Sequence, residues 1–143
     1  MVDPRHFKRP ESVMVVVHTD DEILLIKRAD HDCFWQSVTG SLEWNEAKEQ
    51  TATRELAEET GISNYPVRFT GIRRSYEILE QWQYKFPSGV IRNYENLFFC
   101  YLPERIEITL DPKEHTEYQW LPHDEAIEKA YSWTNKLAIQ MLI

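Results

Sequence analysis

The stretch from residue 47 to residue 60 constrains the fold most, because it is an uninterrupted helical pattern. It contains no Gly or Pro and is rich in Ala, Glu, Leu, Lys and Gln. Gly61 follows it, at the place where a left-handed residue commonly ends a helix. Glu55, Glu58 and Glu59 stand at i, i+3 and i+4, so the sequence predicts a helix that carries them on one face.

This acidic face has two interpretations. Like charges at that spacing cost roughly 0.2–0.5 kcal/mol per pair, and a solvated acidic surface is the commoner reason for such a pattern. Concentrated carboxylates also suit hard cations such as Mg²⁺, which take oxygen ligands. The surrounding sequence decides between the two.

The segments around the helix alternate between strand-like and helical patterns. Residues 12–18 and 23–27 predict two strands of a hairpin, joined by a turn at Asp20-Asp21-Glu22. Residues 28–34 predict a loop, and Pro87-Ser88-Gly89 predicts a turn. Further strands are predicted at residues 67–74, 95–102, 106–110 and 117–121, and helices at about 122–131 and 134–142. This order indicates one α/β domain over residues 1–143, with a sheet covered by helices on both faces.

Charge and apolar content exclude several classes of protein. A formal net charge of −8 disfavours a nucleic-acid partner, which needs a basic patch. The longest apolar run, residues 13–17, is too short to span a bilayer, and residues 1–10 lack the pattern of a signal peptide. Cys33 and Cys100 are too few for a disulfide framework. We expect a cytoplasmic protein with reduced thiols and no membrane partner, and its oligomeric state stays open.

Residues 40–62 (GSLEWNEAKEQTATRELAEETGI) resemble the Nudix signature at every fixed position. The resemblance implies an α/β/α sandwich with a mixed β-sheet between helices, and hydrolysis of a diphosphate linked to another moiety. It implies that Arg54 orients a glutamate and that Glu46 braces the helix or the loop before it. The metal ligands implied inside the signature are Glu55, Glu58 and Glu59. The matched positions are Gly40, Glu46, Arg54, Glu55, Leu56, Glu58, Glu59, Gly61 and Ile62.

Three positions of this segment carry expectations about the backbone. Gly40 and Gly61 imply conformations that a side chain would obstruct. Family members often have Gly just before the first glutamate, where this chain has Asn45. Because Asn tolerates a left-handed backbone best after Gly, we expect Asn45 to preserve the geometry of the loop.

Five segments outside the signature carry a second resemblance: residues 7–10 (FKRP), 34–43 (FWQSVTGSLE), 89–93, 114–121 (EHTEYQWL) and 132–139 (SWTNKLAI). They look like a bacterial group of the Nudix family that acts on dihydroneopterin triphosphate and is also described as cleaving dATP. The resemblance implies that Glu114 is a further metal-binding or catalytic residue. It also implies that Lys8 and Arg28 hold phosphate oxygens.

The residues that would recognise a ring are open to more than one interpretation. Phe34 or Trp35 could stack on a flat ring, and core packing is at least as common for such residues. Asn135 could bind a ring edge through its paired donor and acceptor, or it could only cap the last helix. His115 and His123 have no spaced metal-binding partner and are interpreted as ordinary polar residues.

These features together predict a metal-dependent hydrolase of a small triphosphate. The expected metal is Mg²⁺, with Mn²⁺ able to substitute. The expected substrate is dihydroneopterin triphosphate, cut to the monophosphate and pyrophosphate in folate biosynthesis. Catalysis is assigned to Arg54, Glu58, Glu59 and Glu114, and any of these glutamates could be the general base.

Three alternatives remain at this point. One is a general nucleotide pyrophosphatase acting on dATP or oxidised nucleotides. Another is a hydrolase of RNA 5′ ends or dinucleoside polyphosphates, which usually has Trp-Gln-x-Pro-Gln-Gly before the signature. Here Trp35-Gln36 continues as Ser-Val-Thr-Gly, which counts against it. The third is a Nudix-like ligand-binding module, which is expected to lose signature glutamates that this chain keeps.

Overall fold

The computed structural model describes residues 3–142, and their elements largely follow the predicted order. The strands are β1 (Glu11–His18), β2 (Glu22–Arg28), β3 (Trp35–Gln36), β4 (Val38–Ser41), β5 (Arg68–Glu77), β6 (Arg92–Tyr101) and β7 (His115–Pro122). The helices are α1 (Lys48–Thr60), α2 (His123–Lys129) and α3 (Trp133–Gln140), with 3₁₀ helices at Pro4–His6 and Glu80–Lys85. Residues 1, 2 and 143, which the predicted domain includes, lie outside the described chain. Within residues 3–142, no helix has the length and apolarity needed to cross a membrane.

The seven strands form one mixed sheet, as predicted. The strand order is β3-β2-β1-β6-β5, with β4 beside β1 and β7 beside β2. Strands β1 and β6 run parallel, whereas the other named strand pairs are antiparallel. The predicted hairpin of β1 and β2 is present, but its register is limited to His18 opposite Ile23. Beyond that pair, β1 pairs with β4 while β2 pairs with β3 and β7.

Strand β1 is buried on both faces, which explains its continuous apolar run. Successive side chains of a strand point to opposite faces, so its residues contribute alternately to two cores. One core, against α1, contains Val13, Val15, Val17, Ala52 and Leu56. The other, against α2 and α3, contains Met14, Val16, Ala126, Ala138 and Ile139. The predicted layers are therefore confirmed, with helices on both faces of the sheet.

The sequence prediction failed for two kinds of short segment. Residues 106–110 form no strand in the described chain, so that prediction is wrong. Ile106, Ile108 and Leu110 instead pack against the core on the α1 side, and the Thr109 amide donates to the Thr60 carbonyl at 3.0 Å. The apolar residues alternate in this segment because every second side chain packs against the core, although the backbone pairs with no strand among residues 3–142. Strands β3 and β4, of two and four residues, and the 3₁₀ helix Glu80–Lys85 were not predicted, because each is too short for a clear period.

Three residues carried expectations about the backbone at the end of α1 and in the segments before it. Gly61 has a φ of 79° and its amide bonds to the Ala57 carbonyl, so the predicted left-handed helix stop is confirmed. Position 40 requires glycine because Glu55 approaches it closely, and an added Cβ would lie 2.2 Å from Cδ of Glu55. Asn45 does not adopt the left-handed backbone for which Asn was considered suited, since no described residue other than glycine has a positive φ.

Candidate active site

Arg54 is the centre of the ion-pair network on α1. Its Nε and Nη2 atoms each donate to a different oxygen of Glu46 at 2.9 Å. Its Nη1 atom donates to Glu55 at 2.9 Å and to Glu58 at 3.4 Å. One guanidinium thereby fixes three carboxylates, and the bidentate pair supplies both strength and direction. This geometry agrees with the orienting role implied for Arg54.

Glu46 ties the loop before α1 to the helix itself. Besides Arg54, it accepts hydrogen bonds from the Thr51 hydroxyl at 2.6 Å and from the Glu43 amide at 3.1 Å. The hydrogen bonds from Arg54 and Thr51 lower the pKa of Glu46 to about 2. Glu46 is therefore a carboxylate at neutral pH that holds Arg54 in place, as expected of a bracing residue.

Glu59 is buried among groups that do not satisfy it. The residue is 4% exposed, and neither carboxylate oxygen has a hydrogen-bond partner among the described residues. Burial raises its pKa to about 10, with Glu55 and Glu114 adding negative charge nearby. The nearest cationic candidate is His115, whose Nε2 lies 3.7 Å from Oε1 of Glu59. Burial and the charge of Arg28 lower the pKa of His115 to about 4, so His115 is neutral at pH 7 and gives Glu59 no counter-charge.

These carboxylates fit a divalent cation. A buried pair of carboxylate oxygens without a partner is costly, and a cation would satisfy it. Glu55 lies over the Gly40 backbone, and burial raises its pKa as well. Within residues 3–142, however, no three acidic, His or Cys side chains are grouped closely enough to hold a metal on their own. Mg²⁺ usually keeps waters and takes substrate phosphate oxygens as further ligands, so a partial protein set suits it.

Cationic side chains line the same cleft as these glutamates. Lys8 is exposed as a residue, yet desolvation of its ammonium group and the charges of Lys85 and Arg28 lower its pKa. The Lys8 amide donates to the Lys85 carbonyl at 2.8 Å, which joins the N-terminal segment to the 3₁₀ helix. Glu55 and Glu114 act on Lys8 in the opposite direction, so these groups share one electrostatic environment. The structure thus brings the predicted Lys8, Arg28 and Glu114 together.

Arg28 is partly neutralised before any substrate arrives. Its guanidinium donates to both oxygens of Asp30 at 2.8 and 2.7 Å, which lowers the pKa of Asp30 to about 2. It also lies over the ring of Phe34, 5.2 Å from the centroid, and over the ring of Trp82 at 5.8 Å. Lys8 and Lys85 therefore carry more of the free positive charge than Arg28 does.

The structure separates the two aromatic candidates. Phe34 lines the cleft and stacks on Tyr131, with centroids 4.2 Å apart and planes at 22°. Trp35 is 8% exposed and packs in the core against α2 and α3, so the core interpretation holds for it. Because Phe34 already contacts Tyr131 and Arg28, a substrate ring would have to share it with those partners.

Asn135 does not face the cleft. It is completely buried, its Oδ1 accepts from the Ser37 amide at 2.7 Å, and its Nδ2 donates to the Ser37 hydroxyl at 2.9 Å. The helix-cap interpretation is wrong, because Ser132 caps α3 by accepting from the Asn135 amide. Asn135 instead attaches α3 to the segment between β3 and β4. In this arrangement its amide is occupied by the protein itself.

One cleft of about 1640 Å³ joins these groups. Its walls include the glutamate face, Glu114, the cations Lys8, Arg28 and Lys85, and the start of α3. Sequence reasoning missed several of its residues, among them Lys85, His115 and Glu95. Lys85 lies in an unpredicted 3₁₀ helix, His115 was interpreted as an ordinary polar residue, and Glu95 was taken only as the start of a strand.

The sandwich, the glutamate helix and its arginine together define a Nudix domain. The NUDIX domain model matches residues 8–141, so the chain belongs to the Nudix family. It is a hydrolase that acts on pyrophosphate bonds, and Nudix hydrolases generally use divalent metal ions.

Relatives narrow this similarity further. The chain is 36% identical to the dihydroneopterin triphosphate diphosphatase of Escherichia coli (strain K12), covering 96% of this chain and 94% of that protein. It is 33% identical to the Haemophilus influenzae protein of the same name, and the match covers 94% of this chain and 87% of that protein. The fold is similar to the solved structure of the E. coli dihydroneopterin triphosphate pyrophosphohydrolase, with a TM-score of 0.86, 35% identity and coverage of 94% and 95%. An RNA pyrophosphohydrolase from Wolbachia (strain wRi) is 28% identical, covering 96% and 88%.

Proposed function

We propose that this protein hydrolyses dihydroneopterin triphosphate between its α and β phosphorus atoms, in the cytoplasm and as a step of folate biosynthesis. The products are pyrophosphate and dihydroneopterin monophosphate. The proposed metal is Mg²⁺, with Mn²⁺ as a substitute. The E. coli and H. influenzae relatives named for this substrate support the proposal, since they match nearly the whole chain.

The observation that carries the proposal is the single cleft of about 1640 Å³. It joins a carboxylate face, suited to cations, to Lys8 and Lys85, suited to phosphate oxygens. Its volume exceeds what the triphosphate alone requires, and aromatic side chains also line it, with Phe34 beside Arg28 and Trp133 at the start of α3. A substrate with a triphosphate at one end and a flat ring at the other therefore fits its chemistry.

Each group has a proposed part in the reaction. Glu55, Glu58 and Glu59 would hold divalent cations, which would neutralise phosphate charge and lower the pKa of an attacking water. Lys8 and Arg28 hold the triphosphate, while Arg54 keeps the signature glutamates in position. The proton of the attacking water passes to a carboxylate, for which Glu58, Glu59 and Glu114 are the candidates.

A second candidate function is pyrophosphate release from deoxynucleoside triphosphates such as dATP, or from oxidised nucleotides. The observation that favours it is the aromatic lining of the cleft, because stacking on Phe34 or Trp133 accepts any flat ring. The triphosphate is common to both substrate classes, so metals and lysines cannot discriminate between them. The two candidates differ only in how the ring is bound.

A substrate panel tests the proposal. Relative kcat/KM would be measured for dihydroneopterin triphosphate, dATP, 8-oxo-dGTP and a dinucleoside polyphosphate, with and without chelation of Mg²⁺. The expected result is a preference for the pterin, measurable turnover of dATP and loss of all activity on chelation. A nucleotide that exceeds the pterin by tenfold, about 1.4 kcal/mol in transition-state binding, contradicts the pterin assignment and leaves the Nudix activity standing.

A further inference from the structure

A buried carboxylate lies in the cleft away from the glutamates of α1. Glu95 stands in β6, opposite Ser12 of β1 and Arg74 of β5. It is 7% exposed and lines the cleft, together with Thr134 at the start of α3. Nothing in the hydrolytic step requires this residue. Burying a carboxylate is costly, so its presence in the wall of a ligand cleft calls for a partner.

The surroundings of Glu95 are polar and largely bonded to one another. The Asn93 amide donates to the Ser12 hydroxyl at 2.8 Å and to the Tyr76 hydroxyl at 3.1 Å. The hydrogen bond of Thr134 and the positive charge of Arg74 favour the ionised form of Glu95, whereas burial disfavours it and raises its pKa to about 7. A ligand that donates hydrogen bonds to this carboxylate would offset that desolvation.

The position of Glu95 relative to the phosphate end of the cleft suits the ring of a bound triphosphate. Strands β4, β1 and β6 are neighbours, and Ser12 pairs with Ser41 on one side and with Glu95 on the other. Two strand spacings of about 4.8 Å separate Ser41 from Glu95 by about 10 Å along the sheet. Glu55 lies over Gly40 on the α1 face of β4, whereas Ser41, like Ser12 and Glu95, points to the opposite face, toward α3. The same cleft is lined by Glu55 and by Glu95, so a ring attached to a triphosphate at the glutamate helix can reach Glu95 through the cleft.

We infer that Glu95 is a specificity-determining residue that accepts two hydrogen bonds from the ring edge of a pterin or guanine. The amide N–H and adjacent amino group of such a ring are two parallel donors, which match the two oxygens of a carboxylate. Adenine instead presents a donor beside an acceptor, and its acceptor would face an oxygen of Glu95. The inference rests on the proposed binding of a triphosphate in this cleft. Trp133, which is 57% exposed beside Thr134, provides an open aromatic surface next to it.

The decisive variant is Glu95→Gln, because an amide of the same shape has one donor and one acceptor, as adenine requires. Steady-state kcat/KM would be measured at pH 8 for dGTP, dATP and dihydroneopterin triphosphate. The expected result is a ratio of dGTP to dATP that falls at least about tenfold, about 1.4 kcal/mol in transition-state binding, with the pterin following dGTP. Glu107→Gln, an exposed substitution outside the cleft, is the matched control and should leave the ratios unchanged.

The outcomes separate this inference from the proposed function. A dGTP-to-dATP ratio within about twofold of wild type, or equal losses on all substrates, overturns the role of Glu95. If wild type prefers dATP to the pterin and the ratio still shifts, the pterin assignment fails and the role of Glu95 stands. Should Glu95→Gln not fold, Glu95→Asp keeps the charge and shortens its reach. It should weaken dGTP and pterin turnover at least about tenfold more than dATP turnover, and an equal effect would contradict the inference.

Discussion

Replacing Glu95 by glutamine should stabilise the protein above neutral pH, because it removes a charge that the fold buries. The pKa of Glu95 rises from its ordinary 4.5 to about 7, with burial as the largest cause. Between those values the folded protein holds more protons than the unfolded chain, so its stability falls as pH rises through that window. The destabilisation by the buried charge of Glu95 is complete above about pH 7 and absent below about pH 4.5.

The magnitude follows from the same two values. At about 1.36 kcal/mol per pH unit, moving the pKa from 4.5 to about 7 corresponds to about 3 kcal/mol. Glutamine resembles the protonated acid in shape, so Glu95→Gln should match wild type near pH 4.5 and exceed it by up to about 3 kcal/mol at pH 8. Hydrogen bonds lost to Thr134 would reduce this gain.

Urea unfolding, followed by tryptophan fluorescence at several pH values between 4.5 and 8, measures the difference. The midpoint and the slope would be compared for wild type, Glu95→Gln and the exposed control Glu107→Gln, whose curve should run parallel to that of wild type. A difference that does not grow with pH, or a Glu95→Gln protein less stable than wild type at pH 8, would refute the assignment of Glu95 as a buried charge.

Three further substitutions test individual residues. Glu59→Gln should abolish most activity and leave the free energy of unfolding unchanged or slightly raised, because Glu59 is buried without a partner; normal turnover of the folded variant at saturating Mg²⁺ would exclude it as an essential ligand. Glu114→Ala should lower kcat more than it raises KM, because an exposed carboxylate at the cleft would complete the site only in the transition state. If kcat and KM both stay within about twofold of wild type, which is the scatter of surface substitutions, Glu114 is a solvated acid without a catalytic role. Asn135→Ala should cost about 1–3 kcal/mol in urea unfolding, because it leaves the buried Ser37 groups unsatisfied; an unchanged midpoint would contradict that account.

The sequence predicted α1, and the family resemblance implied that Arg54 orients a glutamate, because both depend on residues close together in the chain. The helix has its own stop at Gly61, and Arg54 reaches Glu55 and Glu58 within about one turn of the helix. The long β1 was equally clear, since a strand buried on both faces must be apolar throughout.

Residues that meet only through the fold were harder to predict. Lys85 joins the cations because the 3₁₀ helix bonds to the Lys8 backbone, and His115 reaches Glu59 because β7 pairs with β2. No local spacing indicates either contact. Asn135 shows the opposite problem, because its amide suits a ring edge but Ser37, distant in the chain, already binds it.

The products of the reaction test the central claim most directly. Dihydroneopterin triphosphate would be incubated with the protein and Mg²⁺, and phosphorus NMR would follow pyrophosphate, orthophosphate and the pterin phosphates over time. Cleavage between the α and β phosphorus atoms predicts pyrophosphate and dihydroneopterin monophosphate in equal amounts from the first turnover. Stepwise release of orthophosphate, with dihydroneopterin diphosphate as an intermediate, would contradict it.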